Sequence, residues 1–115
     1  APVCDVFSWP GQDGEYATEW QQFLDAWGLN NETAAGFQQN AISYVDSLIV
    51  KNIPLVLVAG KKDKIVPYKE NALLLKKKYE ASKVDFEAFI KPRGDHHPHS
   101  LEDPMPVVDF ILKHN

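Results

Sequence analysis

The chain has 115 residues, 44% hydrophobic and 24% charged, with a formal net charge of −4. That balance belongs to a soluble globular chain of at most one domain. The acidic sign argues against general affinity for nucleic acid or for an anionic membrane surface. No apolar run reaches the roughly 20 residues that span a bilayer, and the one cysteine, Cys4, has no internal partner for a disulfide. The first residue is Ala1, with no charged-then-apolar leader after it, so the expectation is that upstream sequence has been removed. Compartment stays open.

Residues 1–16 carry Pro2, Pro10, Gly11 and Gly14 without periodicity, which predicts loop after a strand end at residues 3–6. Thr18 and Gln21 have capping-box spacing ahead of Trp20, Phe23, Leu24 and Trp27, the i, i+3, i+4, i+7 stripe of a helix. Gly28 is placed to end that helix as a left-handed cap. Asn31 is expected to cap a short helix through Gln38. Asn40 is expected to cap a third helix, with Ile42, Val45, Leu48 and Ile49 on one face.

From about residue 52 the pattern changes. Residues 54–60 form a continuous apolar run closed by Gly60, as in a parallel strand buried on both faces. A helix is expected over 68–81, with Ala72, Leu75 and Tyr79 inward and the lysines at 76–78 in solvent. Residues 84–91 alternate as a second strand. Asp103 and Pro104 then open a last helix, with Val107, Phe110 and Ile111 inward. The fold class read from this order is α/β, a strand–helix–strand–loop–helix unit with parallel strands over 52–115, preceded over 1–51 by a helical segment. A buried-type strand at 55–59 wants a neighbour on each side, and only one comes from this sequence. The other is expected from upstream residues or from a second chain.

The residues with chemistry lie just past the two strands. Asp63 follows the first strand, in Gly60-Lys61-Lys62-Asp63-Lys64-Ile65-Val66-Pro67. His96 follows the second, in Gly94-Asp95-His96-His97-Pro98-His99-Ser100-Leu101. In open parallel sheets the carboxyl ends of strands are where functional groups gather. A carboxylate holding an imidazole through its Nδ1 proton leaves Nε2 as a base, the acid and base of a Ser-His-Asp triad.

The pattern G-x-x-D-x-x-V-P after a buried strand, then a strand, a glycine–histidine loop and a terminal helix, resembles the carboxyl-terminal part of the α/β-hydrolase fold over residues 53–115. Residues 1–51 resemble the end of the preceding strand plus the helical cap insertion of such hydrolases. The run from His96 to Leu101, with Val3-Cys4-Asp5 and Ser8-Trp9-Pro10-Gly11, is similar to a bacterial subgroup of esterases of this fold. The resemblance implies Asp63 as triad acid, His96 as base in preference to His97, and a carboxylic ester or acylated small molecule, carbohydrate-linked ones included, as substrate. It implies no cofactor. No G-x-S-x-G occurs, and none of Ser8, Ser43, Ser47, Ser82 or Ser100 has the glycine spacing of a nucleophile elbow, so the nucleophile is expected upstream of Ala1. The alternative is a non-catalytic or truncated hydrolase-like domain that binds or assembles.

Three further readings attach to side chains near this motif. His97 and His99 are expected around the site rather than at the reacting atoms. Pro98 is expected to aim the His97 ring away from His96. Asp95, His96, His97 and His99 are donor types suited to Zn²⁺ or Ni²⁺, but neighbours in sequence rarely share an ion, and no metal is expected. Trp20 and Trp27 read as helix packing, whereas Trp9, in a Ser-Trp-Pro-Gly loop, reads as a substrate contact.

Overall fold

Leu55–Gly60 is an apolar run closed by glycine, Phe86–Lys91 lies in the alternating stretch, and they pair. In the computed structural model, which describes residues 2–115, they form strands β1 (Leu55–Gly60) and β2 (Phe86–Lys91) of a two-stranded parallel sheet. The register sets Leu55 beside Phe86 and Gly60 beside Lys91. Parallel strands need a crossover, and residues 61–85 supply it.

The crossover is not one helix over 68–81. A 3-10 turn at Tyr68–Glu70 is separated from helix α4 (Ala72–Glu80) by Asn71, whose backbone (φ −127°, ψ −91°) leaves the helical region. The break has a purpose in packing. At the break the Asn71 side chain is fully buried and serves backbone elsewhere. Leu57 and Ala59 of β1 pack with Ala72 of α4, and Leu75, Phe86, Ala88 and Ile90 close around them. Tyr79, 1% exposed, lays its ring on Phe86 and donates its hydroxyl to the Ile53 carbonyl.

Before the sheet come α1 (Ala17–Trp27), α2 (Asn31–Ala34) and α3 (Ala41–Val50). Trp20, Leu24 and Ala34 form a second buried cluster with Phe23 and Leu29. Trp27, the last member of the predicted stripe, is half exposed and stands edge-to-face with Phe37. Gly28 closes α1 at φ 63°, as its position predicts, with its N–H on the Leu24 and Asp25 carbonyls.

The other capping expectations shift. Position N-cap of α1 is Tyr16, without a side-chain bond, so Thr18 sits inside the first turn. Asn30, not Asn31, caps α2 in a reciprocal box with Thr33. The helix is one turn long, and Asn31 instead accepts the Trp20 indole N–H at 2.8 Å. Asn40 does precede α3, but its side-chain oxygen accepts from Val6 N–H at 2.9 Å rather than from the helix. A side-chain donor takes the Asn31 oxygen and a distant backbone donor takes that of Asn40, each in place of the local helix N–H groups. Leu48, predicted inward, is exposed.

Residues 3–6, expected to be a strand end, form no strand. They lead as an irregular strap into a turn and are held by side chains: Asn71 Oδ1 accepts from Cys4 N–H at 2.7 Å and Asp5 N–H at 3.1 Å. The last helix, α5 (Met105–Lys113), begins one residue later than expected. Asp103 still accepts an orphan donor, that of Met105, at 3.0 Å. Phe110 is buried as predicted, but Ile111 is 55% exposed. Among the described residues no helix is long and apolar enough to cross a membrane.

Candidate functional site

The sheet continues past its last paired residues as two loops that run side by side. Lys61 N–H donates to the Lys91 carbonyl at 3.0 Å and Lys62 N–H to the Gly94 carbonyl at 2.9 Å. This approach needs glycine at Gly60, because a Cβ there would run into the carbonyl oxygens of Gly94 and Asp95. The loop after β1 and the loop after β2 are therefore one structural unit, although about thirty residues separate them in sequence.

Asp63 and His96 come together within that unit. His96 Nδ1 lies 3.0 Å from Asp63 Oδ2 and 3.2 Å from Oδ1. The Asp63 side chain is fully buried, whereas that of His96 is 18% exposed. Asp63 Oδ1 also accepts from the backbone N–H groups of Ile65 (2.9 Å) and Val66 (2.8 Å), which fix the carboxylate's orientation. A carboxylate offers only acceptors, so the Nδ1 it faces carries the proton and the lone pair resides on Nε2. Among the described residues, both hydrogen bonds of the His96 ring go to Asp63.

Asp95, read from the sequence as a donor type for a metal, clamps backbone instead. One oxygen, Oδ1, accepts from Lys64 N–H at 2.9 Å and from His96 N–H at 2.8 Å, tying the two loops together next to the pair. Lys64 Nζ stands 3.4 Å from Oδ2. The N–H groups of Lys64 and His96 hold the Asp95 carboxyl below its ordinary range. Its signal in the sequence is weak, a lone acid between the glycine and the histidine.

His97 and His99 join His96 rather than pointing away from it. Ring centroids are 4.9 Å apart for His96 and His97, 4.6 Å for His96 and His99, and 4.3 Å for His97 and His99. The expected outward turn of the His97 ring is thus corrected. Lys91 Nζ reaches the carbonyls of Pro98 and Ser100, folding the loop back over the end of β2 so that the three rings converge. Each offers one ring nitrogen, and these three nitrogens lie within 4.8 Å of one another. Lost hydration first, and the neighbouring His97 second, hold the His99 imidazolium below its ordinary range.

Trp9 is placed differently. Its ring packs on Tyr16 at 5.6 Å, and its indole N–H is buried with no acceptor among the described residues. The strap that carries it is moored close to the Asp63 turn. Asn71 Nδ2 donates both to Ser8 Oγ at 2.8 Å and to the Pro67 carbonyl at 3.0 Å. The site therefore unites Asp63, His96, His97 and His99, while Trp9 packs on Tyr16 beside Ser8, which Asn71 holds. That asparagine has no distinguishing signal in the sequence. Comparison with family models, with curated proteins and with solved structures returns no match to this chain.

Proposed function

We propose that this chain supplies the acid and base of a serine hydrolase of the α/β-hydrolase type, acting on carboxylic esters. The observation that carries the reading is the buried Asp63 carboxylate 3.0 Å from His96 Nδ1, with the ring itself partly exposed. In this reading a serine outside these 115 residues attacks the acyl carbon and His96 Nε2 takes its proton. Asp63 holds the ring's tautomer and stabilises the imidazolium. His96 then returns the proton to the leaving alkoxide, and water repeats the cycle on the acyl-enzyme. The reading calls for no cofactor. Acyl groups on a small molecule, sugars included, are the substrate class. A second reading, a hydrolase-like domain that only binds or assembles, is favoured by the unpaired outer edges of the two-stranded sheet.

The experiment is p-nitrophenyl acetate hydrolysis by this chain alone and by a longer protein that joins it to a G-x-S-x-G segment. The chain alone is expected to match buffer, having neither nucleophile nor oxyanion hole. The longer protein is expected to turn over, and to lose activity on the order of 10³–10⁴-fold on Asp63→Asn, which leaves the ring in the wrong tautomer. Turnover by the chain alone that vanishes on replacing one of its own serines overturns the proposal, as does a longer protein indifferent to Asp63→Asn. Absence of turnover in the longer protein favours the binding reading.

A further inference from the structure

We infer that His96, His97 and His99 form a binding site for a borderline-soft divalent cation, with Zn²⁺ as its representative. Three imidazoles whose donor nitrogens already lie within 4.8 Å of one another are the first observation. Tetrahedral zinc with bonds of 2.0–2.1 Å brings its nitrogens to about 3.3 Å from each other, so the cluster must close by about 1.5 Å at most. His97 and His99 are exposed, and rotation about their side-chain bonds can supply that movement without disturbing the core.

The second observation is independent of the cluster. His96 faces Asp63 through Nδ1, and the Asp63 carboxylate is itself fixed by the Ile65 and Val66 N–H groups. This is the arrangement that metal-bound histidines require: a carboxylate on one ring nitrogen, which orients the ring and makes the other nitrogen a better donor. Of the three rings, His96 is thereby held in advance, and the two exposed rings close on it. Lys91, through its contacts with Pro98 and Ser100, holds the loop in the bent course that makes closure short.

Three neutral nitrogens and no thiolate suit Zn²⁺, Ni²⁺ or Cu²⁺ and disfavour Mg²⁺ or Ca²⁺, which take oxygen donors. The site stands apart from the hydrolase proposal, since its ligation needs no nucleophile. If both hold, they compete for one atom. A cation on His96 Nε2 occupies the lone pair that a general base uses, and the site would act as a metal-sensitive brake.

Isothermal titration calorimetry of the chain with ZnCl₂ tests it, beside His97→Ala/His99→Ala, Asp63→Asn and His114→Ala variants. One equivalent of Zn²⁺ is expected to bind the unsubstituted chain. Asp63→Asn should weaken it about tenfold or more through loss of the supporting carboxylate. The double variant, confined to exposed side chains, should weaken it further, and His114→Ala should leave it unchanged. Mg²⁺ should give no heat at the same concentrations. No binding by the unsubstituted chain, or binding unaltered in the double variant, overturns the inference. So does binding that disappears with His114→Ala, which would place the cation at the end of α5.

Discussion

At the scale of single residues, His96 and His97 are neighbours in sequence with different duties. Only His96 has a carboxylate on Nδ1, and only such a ring is held in one tautomer with its second nitrogen ready. In a longer protein containing the nucleophile, His96→Ala is expected to lower kcat by about three or more orders of magnitude. His97→Ala is expected to act mainly on KM or stability, its ring standing edge-on to His96 without a carboxylate of its own. Steady-state kinetics on the two variants checks this. A reversal of the two effects moves the base one residue along, and indifference to both removes the triad.

At the scale of elements, the strap at residues 2–11 is positioned by two buried asparagines, Asn40 on Val6 N–H and Asn71 on several groups, and by Ile42 N–H on the Cys4 carbonyl, rather than by sheet pairing. Asn71 accepts from Cys4 and Asp5 and donates to Ser8 and Pro67, so it bridges the strap and the turn that follows Asp63. Cys4, the buried cysteine of the strap, has its thiol pushed up by burial and then by the Asp5 charge, which suits a packing role over a reactive one. Asn71→Ala strands these partners in a buried site, at a cost of about 1–3 kcal/mol for each group left unpaired. The expected outcome is a lower urea midpoint together with faster amide exchange at Cys4 and Asp5. Exchange at those two amides equal to that of the unsubstituted chain would show that something other than Asn71 holds the strap.

At the scale of the whole molecule, the fold leaves surface that it does not cover itself. The radius of gyration is 15.4 Å, against about 13.4 Å for a compact domain of this length. Among the described residues, both strands have an outer edge without a strand partner. On α5, Met105, Ile111 and Leu112 are each half exposed or more. A two-stranded sheet is marginal by itself, and open edges next to apolar surface are where chains pair. The chain in isolation is therefore expected to self-associate, or to become monodisperse only with a partner that adds strands to the sheet. Multi-angle light scattering at micromolar concentration checks it, and a stable, well-dispersed monomer would count against it.

What the sequence by itself determined is what local physics decides. The apolar run at 54–60, the alternation read over 84–91 and Gly28 after a helical stripe each carry their element in a period or a special φ, so the parallel α/β unit is legible before any contact is known, with the second strand starting at Phe86. Asp63 and His96 are legible too, because both must follow a strand's carboxyl end, where a parallel sheet puts them side by side. Tertiary structure decided which polar side chains serve distant backbone. Asn40 and Asn71 abandon their own helices for Val6, Cys4 and Asp5, and Asp95 gives its oxygen to Lys64 and His96. It also decided that three histidine rings converge, because a lysine from β2 folds their loop back. Hydrogen-bonding groups have no period along a chain. Which buried donor each acceptor must satisfy depends on what the fold brings near, and that is settled only when the elements have packed.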